Sequence, residues 1–324
     1  MKLIKQSFEI IEQKDFTLVG IKKLIERCGR VSHKSEDRIT KDSAETFVER
    51  MKEMKHLSTC EFGTIYLKIP AGKYQFLDND YFDECDDIKD SFFSNPYTRI
   101  HCQEGYYYIS TNYRVLVENF SKEFISELLQ YLCEPTEYHE RRITVKFICD
   151  RAIANEFVRH RKFSFLQEST RYCNYSKDRF GNELTFIIPE WLDIEEGHHK
   201  YDCSFVDQKW MGPDNTEVSY QWLDTNGLVW YPDTDEHLFL KSLSDSEEIY
   251  FKLLEQGWKP QQARTVLPNA LKTELVMAGF VSDWEHFFSL RVLGTTGAPH
   301  PQAKELAEPL MKEFERRSLL CTIQ

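Results

Sequence analysis

The sequence predicts an α+β protein, read as one domain over residues 1–324 with a mixed or antiparallel sheet packed with long helices. Three observations predict it. Helical and strand patterns are interspersed without a regular βαβ rhythm, which argues against a doubly wound parallel sheet. Hydrophobic residues make up 41% and aromatics 14% of the 324-residue chain, enough for a sizeable core and far from the profile of disorder. The middle stretch, 73–118, is more variable in polarity than its flanks and reads as a β-rich insertion.

The elements follow in order. A helix over 43–55 is opened by the capping-box pattern Asp42-Ser43-Ala44-Glu45. A strand over 64–69 is stopped by Pro70 and Gly72. Residues 73–105 are acidic and aromatic, strands follow over 106–118, and a helix covers 121–132. Residues 142–149 read as a strand, after which Asp150 caps a helix over 151–158 whose Ile153 and Phe157 share one face. Further strands fall at 184–188, 217–223 and 228–231, with the turn Thr225-Asn226-Gly227 between the last two. The C-terminal part reads as helical. A helix over 246–256 ends at Gly257, Pro260 opens another, and Pro268 begins or kinks the next. A second capping box, Ser282-Asp283-Trp284-Glu285, leads into a helix carrying Phe287, Phe288 and Arg291. Pro301 opens the last helix, with Leu306, Leu310 and Phe314 in one stripe.

Composition excludes several classes. The net charge of −12 disfavours nucleic acid and anionic membranes as partners. No apolar run approaches the roughly 20 residues of a membrane helix. The opening MKLIKQSFEIIEQKD has no continuous apolar core and no small-residue cleavage site, so a cytoplasmic protein without a signal peptide is expected. The nine cysteines contain no CxxC pair, which suggests neither a disulfide framework nor a metal site. Most are expected to be reduced, buried small hydrophobes. An anionic ligand must therefore be held by a local basic cluster.

The densest such cluster is 159–172, in which Arg159, His160, Arg161 and Lys162 stand at the end of the helix over 151–158. Cations at a helix C-terminus gain about 0.3–1 kcal/mol each from the macrodipole, so a solvated helix end is one reading. The other is a ligand site. Phe163, Phe165 and Leu166 interleave with the charges and hold them beside packed structure. Guanidinium forks next to Ser169 and Gln167 also suit a phosphate and a planar, hydrogen-bonding base. No His–Asp partner for Ser169 is evident, which favours binding over nucleophilic attack.

These residues resemble the flavin-dependent thymidylate synthases, the ThyX type, whose signature is Arg-His-Arg, seven residues, Ser. Here Arg159, His160 and Arg161 are followed by residues 162–168 and then Ser169, with Arg171 and Tyr172 after it. By average composition the triplet with a serine at that distance arises in about one chain of this length per thousand. Other segments resemble the family in its order: Arg30-Val31-Ser32, the run from His56 to Phe62, the run from Ala263 to Pro268, the run from Phe287 to Arg291, and His300-Pro301-Gln302-Ala303. Together they cover about half of the chain, and by the resemblance the rest, chiefly 71–140 and 190–245, reads as insertions relative to shorter relatives.

The resemblance implies a ThyX-like fold and reductive methylation of dUMP to dTMP. It implies FAD as cofactor, methylenetetrahydrofolate as carbon donor and NADPH as reductant. It also implies a homotetramer with shared active sites. There is no GxGxxG after a strand to hold FAD on a Rossmann turn, and no Pro-Cys-His context for a cysteine nucleophile. By position, His56, Ser58, Glu61, Arg159, His160, Arg161 and His286 fall to FAD. Glu156, Arg159, Gln167, Glu168, Ser169, Thr170, Arg171, Arg264 and Arg291 fall to dUMP. Arg291 is the catalytic residue, facing the uracil edge and stabilising negative charge there. Taken alone, His56 reads rather as a surface or satisfied histidine, Glu61 and Glu168 as ion-pair partners, and Arg264 and Arg291 rather as helix-surface charges. The chain departs from the pattern at Phe62, a second His in relatives, and at Glu156, often Gln. It departs again at Leu166-Gln167, often Asn-Glu, and at Phe280, Ser282 and His286, where relatives place Asn and Arg against the flavin. A relative that binds nucleotide or flavin without making dTMP is the alternative.

Overall fold

The computed structural model describes residues 1–74, 95–177, 181–199 and 234–320, and the backbone of four short strands, Ser204–Val206, Lys209–Met211, Tyr220–Asp224 and Gly227–Tyr231. The turn residues 225 and 226 lie outside the described residues. Contacts sort the chain into two compact units: Met1–Ser7, Ile148–Asn155 and Ser169–Thr273 in the first, and Phe8–Phe147, Glu156–Glu168 and Glu274–Gln324 in the second. The architecture is α+β, with both antiparallel and parallel pairings among the described strands.

In the first unit, strand Lys2–Ile4 lies between Thr185–Ile187, parallel, and Gly197–His198, antiparallel. Leu3 pairs with Phe186 in register, and both are wholly buried in a core shared with Leu243 and Tyr250. Those two residues, seven apart on one face, belong to helix Asp235–Glu255. The expected helix over 246–256 is therefore the second half of a longer one. Its start is set by Thr234, whose hydroxyl accepts from the His237 N–H, and by Asp235 and Glu236 in the first turn.

In the second unit, Thr64–Pro70, Tyr106–Asn112 and Arg99–Gln103 form an antiparallel sheet with the middle strand at its centre. Ile65, Leu67, Ile69 and Ile109 meet Ile21 and Ile25 of helix Leu18–Val31, which Thr17 caps by accepting from the Gly20 N–H at 3.3 Å. The strand expected over 106–118 ends at Asn112. Its side chain accepts from the Val115 N–H at 3.2 Å and starts helix Tyr113–Asn119, overriding the strand preference of Tyr113, Val115 and Val117.

A four-stranded sheet runs in the order Ser7–Ile11, Arg142–Asp150, Lys272–Phe280, Ser164–Gln167. Its third strand corrects the helix expected to begin at Pro268. Thr273–Phe280 is buried at every position, so it shows no alternation of polar and apolar residues. Val276 stands opposite Leu166, and Ala278 opposite Ser164.

Asp150 caps helix Arg151–Phe157 as expected, accepting from the Ile153 N–H at 2.7 Å. The first expected capping box is not formed. Ser43 instead accepts from the Thr40 N–H at 2.9 Å and donates to Glu26 at 2.8 Å, while helix Ser43–Glu53 has no side-chain cap from Asp42. Cys28, Cys60, Cys149 and Cys173 are buried and none of them forms a disulfide, and Cys102 is exposed. Cys85, Cys203 and Cys321 lie outside the described residues.

Candidate functional site

An aromatic cluster in the second unit fixes the geometry of the site. Trp284 is wholly buried, its indole N–H donating to the Ile143 carbonyl at 3.2 Å. Around it pack Phe163 at 4.7 Å between ring centroids, Phe287 at 5.3 Å and Phe314 at 5.5 Å. Phe287 in turn meets Phe157 at 5.0 Å, edge to face. These contacts lock the end of helix Arg151–Phe157 and the turn after it against helix Val281–Arg291. Phe163 lies directly on Gly279: a Cβ there would stand 2.6 Å from its ring.

The N-terminus of helix Val281–Arg291 is fastened by acids. The Phe280 N–H donates to Asp283 at 3.2 Å and the Ser282 N–H donates to Glu140 at 3.1 Å. Arg99, from strand Arg99–Gln103, completes the knot. It pairs with Glu140 at 3.2 Å and Asp283 at 3.6 Å, and its guanidinium lies 4.4 Å from the Phe280 ring centroid. Burial holds the Asp283 carboxyl above its ordinary pKa, with Arg99 pulling the other way.

Between the two elements lies a cleft of about 640 Å³. Glu156, Arg159, His160, Arg161, His286 and Arg291 all line it, so six of the residues singled out in the sequence converge although 135 positions separate Glu156 from Arg291. Arg291 is held by three acceptors. Its Nη1 donates to Glu156 Oε2 at 2.5 Å, its Nη2 to the Glu156 carbonyl at 3.0 Å, and its Nε to His160 Nε2 at 3.1 Å. His160 is buried against Phe287 at 5.0 Å between rings. Burial, then Arg291 and His286, push its pKa down to about 4, so the ring is neutral and its Nε2 is free to accept.

Arg159, Arg161 and Lys162 behave differently. All three are exposed on the cleft, and among the described residues no carboxylate lies within 4.0 Å of any of them. In a chain of net charge −12 these three cations give the cleft a local positive charge, beside the carboxylates of Glu156 and Asp283 in its lining. A cleft of this volume and charge fits the phosphates of a nucleotide or dinucleotide. The loop Thr296–Pro299 and His300 also line the cleft. Of these residues only His300, in the run His300–Ala303, resembles the family in the sequence. The loop ahead of it is signalled by Gly294 and Gly297, which both take positive φ.

Other expected site residues stand elsewhere. His56 and Ser58 are exposed, Glu61 pairs with Arg114 at 2.6 Å, and none of the three lines the cleft. Gln167 stands opposite Leu275 in the sheet, and Glu168 is buried, its N–H donating to the Glu274 carbonyl at 2.8 Å. Ser169, Thr170, Arg171 and Arg264 belong to the first unit. There Arg264 donates to the Thr170 hydroxyl at 3.1 Å, and the Ser169 hydroxyl accepts from the Arg171 N–H at 3.3 Å. Arg171 is exposed, 5.4 Å from the Tyr172 ring.

A family model, thymidylate synthase complementing protein (Thy1), matches residues 104–318, roughly two thirds of the chain. The chain belongs to this family, and the cleft lies within the matched residues while His56, Ser58 and Glu61 precede them. Among curated relatives, a probable flavin-dependent thymidylate synthase of Paramecium bursaria Chlorella virus 1 is 27% identical over 173 residues, 53% of this chain and 67% of that one. A flavin-dependent thymidylate synthase of Synechocystis matches equally, at 27% over 173 residues with the same coverage. That of Pyrococcus abyssi is 24% identical over 172 residues, 53% of each chain. The chain thus spans between about half and two thirds of the length of these relatives. A UMP/dUMP methylase, PolB from Streptomyces cacaoi, aligns over 98% of this chain and 93% of that one at 14% identity with a TM-score of 0.39, too loose to define the fold.

Proposed function

We propose that the chain is a flavin-dependent thymidylate synthase with a ThyX-like fold, converting dUMP to dTMP. Methylenetetrahydrofolate is the carbon donor, and reduced FAD, regenerated by NADPH, supplies the hydride. The observation that carries this reading is the cleft itself. In a chain of the Thy1 family, the Arg159-His160-Arg161 turn and Arg291 line one basic hollow in an otherwise acidic protein. Arg159, Arg161 and Lys162 would hold phosphates. Arg291, aimed by Glu156 and His160, would donate to the carbonyl edge of the pyrimidine and stabilise charge as C5 becomes nucleophilic. Ser169, Thr170, Arg171 and Arg264, with Gln167 and Glu168, would bind dUMP. His286 would join His56, Ser58 and Glu61 on FAD, in a homotetramer whose sites are shared between subunits.

The test is tritium release from [5-³H]dUMP by purified protein supplied with FAD, NADPH and methylenetetrahydrofolate. Release that requires all of them supports the reading. A dUMP-perturbed flavin spectrum without release would mark a relative that binds the nucleotide and does not methylate it. Light scattering on the FAD-loaded protein tests the tetramer.

A further inference from the structure

The Arg291 guanidinium carries five N–H groups, of which Glu156 Oε2, the Glu156 carbonyl and His160 Nε2 take three. Two remain. Glu156 uses only Oε2 in this pair, and among the described residues its Oε1 accepts no hydrogen bond. Both side chains line the cleft, Glu156 at 31% and Arg291 at 17% exposure, so the pair is open to a ligand. The neutral His160 ring and the backbone carbonyl fix the guanidinium plane, and the guanidinium fixes the carboxylate. The cleft therefore presents a rigid donor beside a rigid acceptor.

That pattern is complementary to one kind of ring edge: a carbonyl next to an N–H. Uracil offers C2=O to the arginine and N3–H to the carboxylate. Cytosine offers the same carbonyl, but its N3 carries a lone pair, which a carboxylate repels and cannot satisfy. A glutamine at this position would not discriminate in the same way, because its amide can turn to present either oxygen or NH₂. We propose that Glu156, locked to Arg291, is a specificity-determining residue that accepts the ring N3–H and so admits uracil-type nucleotides while rejecting cytosine-type ones. The proposal rests on the reading of the cleft as a pyrimidine nucleotide site.

Equilibrium binding tests it without reference to turnover. Titration calorimetry at pH 8 on FAD-loaded protein would compare dUMP, dCMP and N3-methyl-dUMP for the wild type, Glu156→Gln and Glu156→Asp. The wild type is expected to bind dUMP about 100-fold or more tighter than either analogue. Glu156→Gln is expected to narrow the dUMP/dCMP ratio to about 10-fold or less, and Glu156→Asp to keep dCMP excluded at weaker dUMP affinity. Equal wild-type binding of dUMP and N3-methyl-dUMP would overturn the proposal even if neither variant folds, as would an unchanged ratio in folded Glu156→Gln. Wild type that binds no pyrimidine nucleotide would overturn the cleft's reading and this proposal with it. Tight dUMP binding with no discrimination overturns this proposal alone.

Discussion

The imidazole of His160 accepts the Nε–H of Arg291 at 3.1 Å, so the histidine of the Arg-His-Arg turn points inward while its arginine neighbours face the cleft as exposed side chains. The bond requires an unprotonated Nε2, and the depressed pKa of about 4 keeps it so. In the unfolded chain the ring takes up its proton near its ordinary 6.5, and in the fold only near 4. The stabilisation is complete above pH 6.5 and is lost as pH falls toward 4, because the unfolded state is protonated first. Urea midpoints measured from pH 7.5 to 4.5 should fall in the wild type and fall less in His160→Gln. Parallel curves would assign the loss to other groups.

Arg291→Lys keeps the charge and removes the planar fork that three acceptors hold. For a nucleotide bound by that fork, the dissociation constant for dUMP should rise about 10- to 100-fold, the effect of one charge-assisted hydrogen bond. Flavin absorbance during dUMP titration checks this, and a lysine variant with wild-type affinity would remove Arg291 from the site.

Thr170→Val takes away the acceptor that orients Arg264 while keeping the shape of a buried side chain. Expected is a dUMP affinity about tenfold weaker with folding intact, since one hydrogen bond to a charged group is lost. Calorimetry alongside a melting curve separates this from general destabilisation.

Gly279→Ala pushes a methyl group to 2.6 Å from the Phe163 ring, which is itself wedged against Trp284 at 4.7 Å between centroids. A buried ring between two such neighbours cannot yield without disturbing the cleft wall. Destabilisation of about 1–3 kcal/mol is expected by chemical denaturation. A neutral effect would show that this part of the core can repack.

Local signals made much of this fold readable. Asp150 before an apolar helical face announced helix Arg151–Phe157, and alternating apolar residues announced strand Thr64–Pro70. Strand Lys272–Phe280 was not readable. Buried on both faces, it shows no period of two, and Pro268 just upstream mimics a helix start. Tyr113–Asn119 misled in the opposite sense, its strand-favouring residues overruled by the single cap from Asn112. At the site, the basic turn was visible as a motif, but its partition into an inward His160 and outward Arg159 and Arg161 depends on Phe287 and Arg291, more than 120 residues away. The ion pair between Arg291 and Glu156 was likewise invisible, because no spacing rule links residues 135 apart.

Arg99 lies in the stretch that the sequence marks as an insertion, yet it clasps Phe280, Glu140 and Asp283 at the root of the helix bearing Arg291. The stretch is therefore not dispensable ornament. A shortened protein lacking it would take the paired guanidinium away from the buried Asp283 carboxylate and loosen the N-terminal end of the helix that carries Arg291. Any minimal version of this molecule must keep that one strand or supply a new cation in its place.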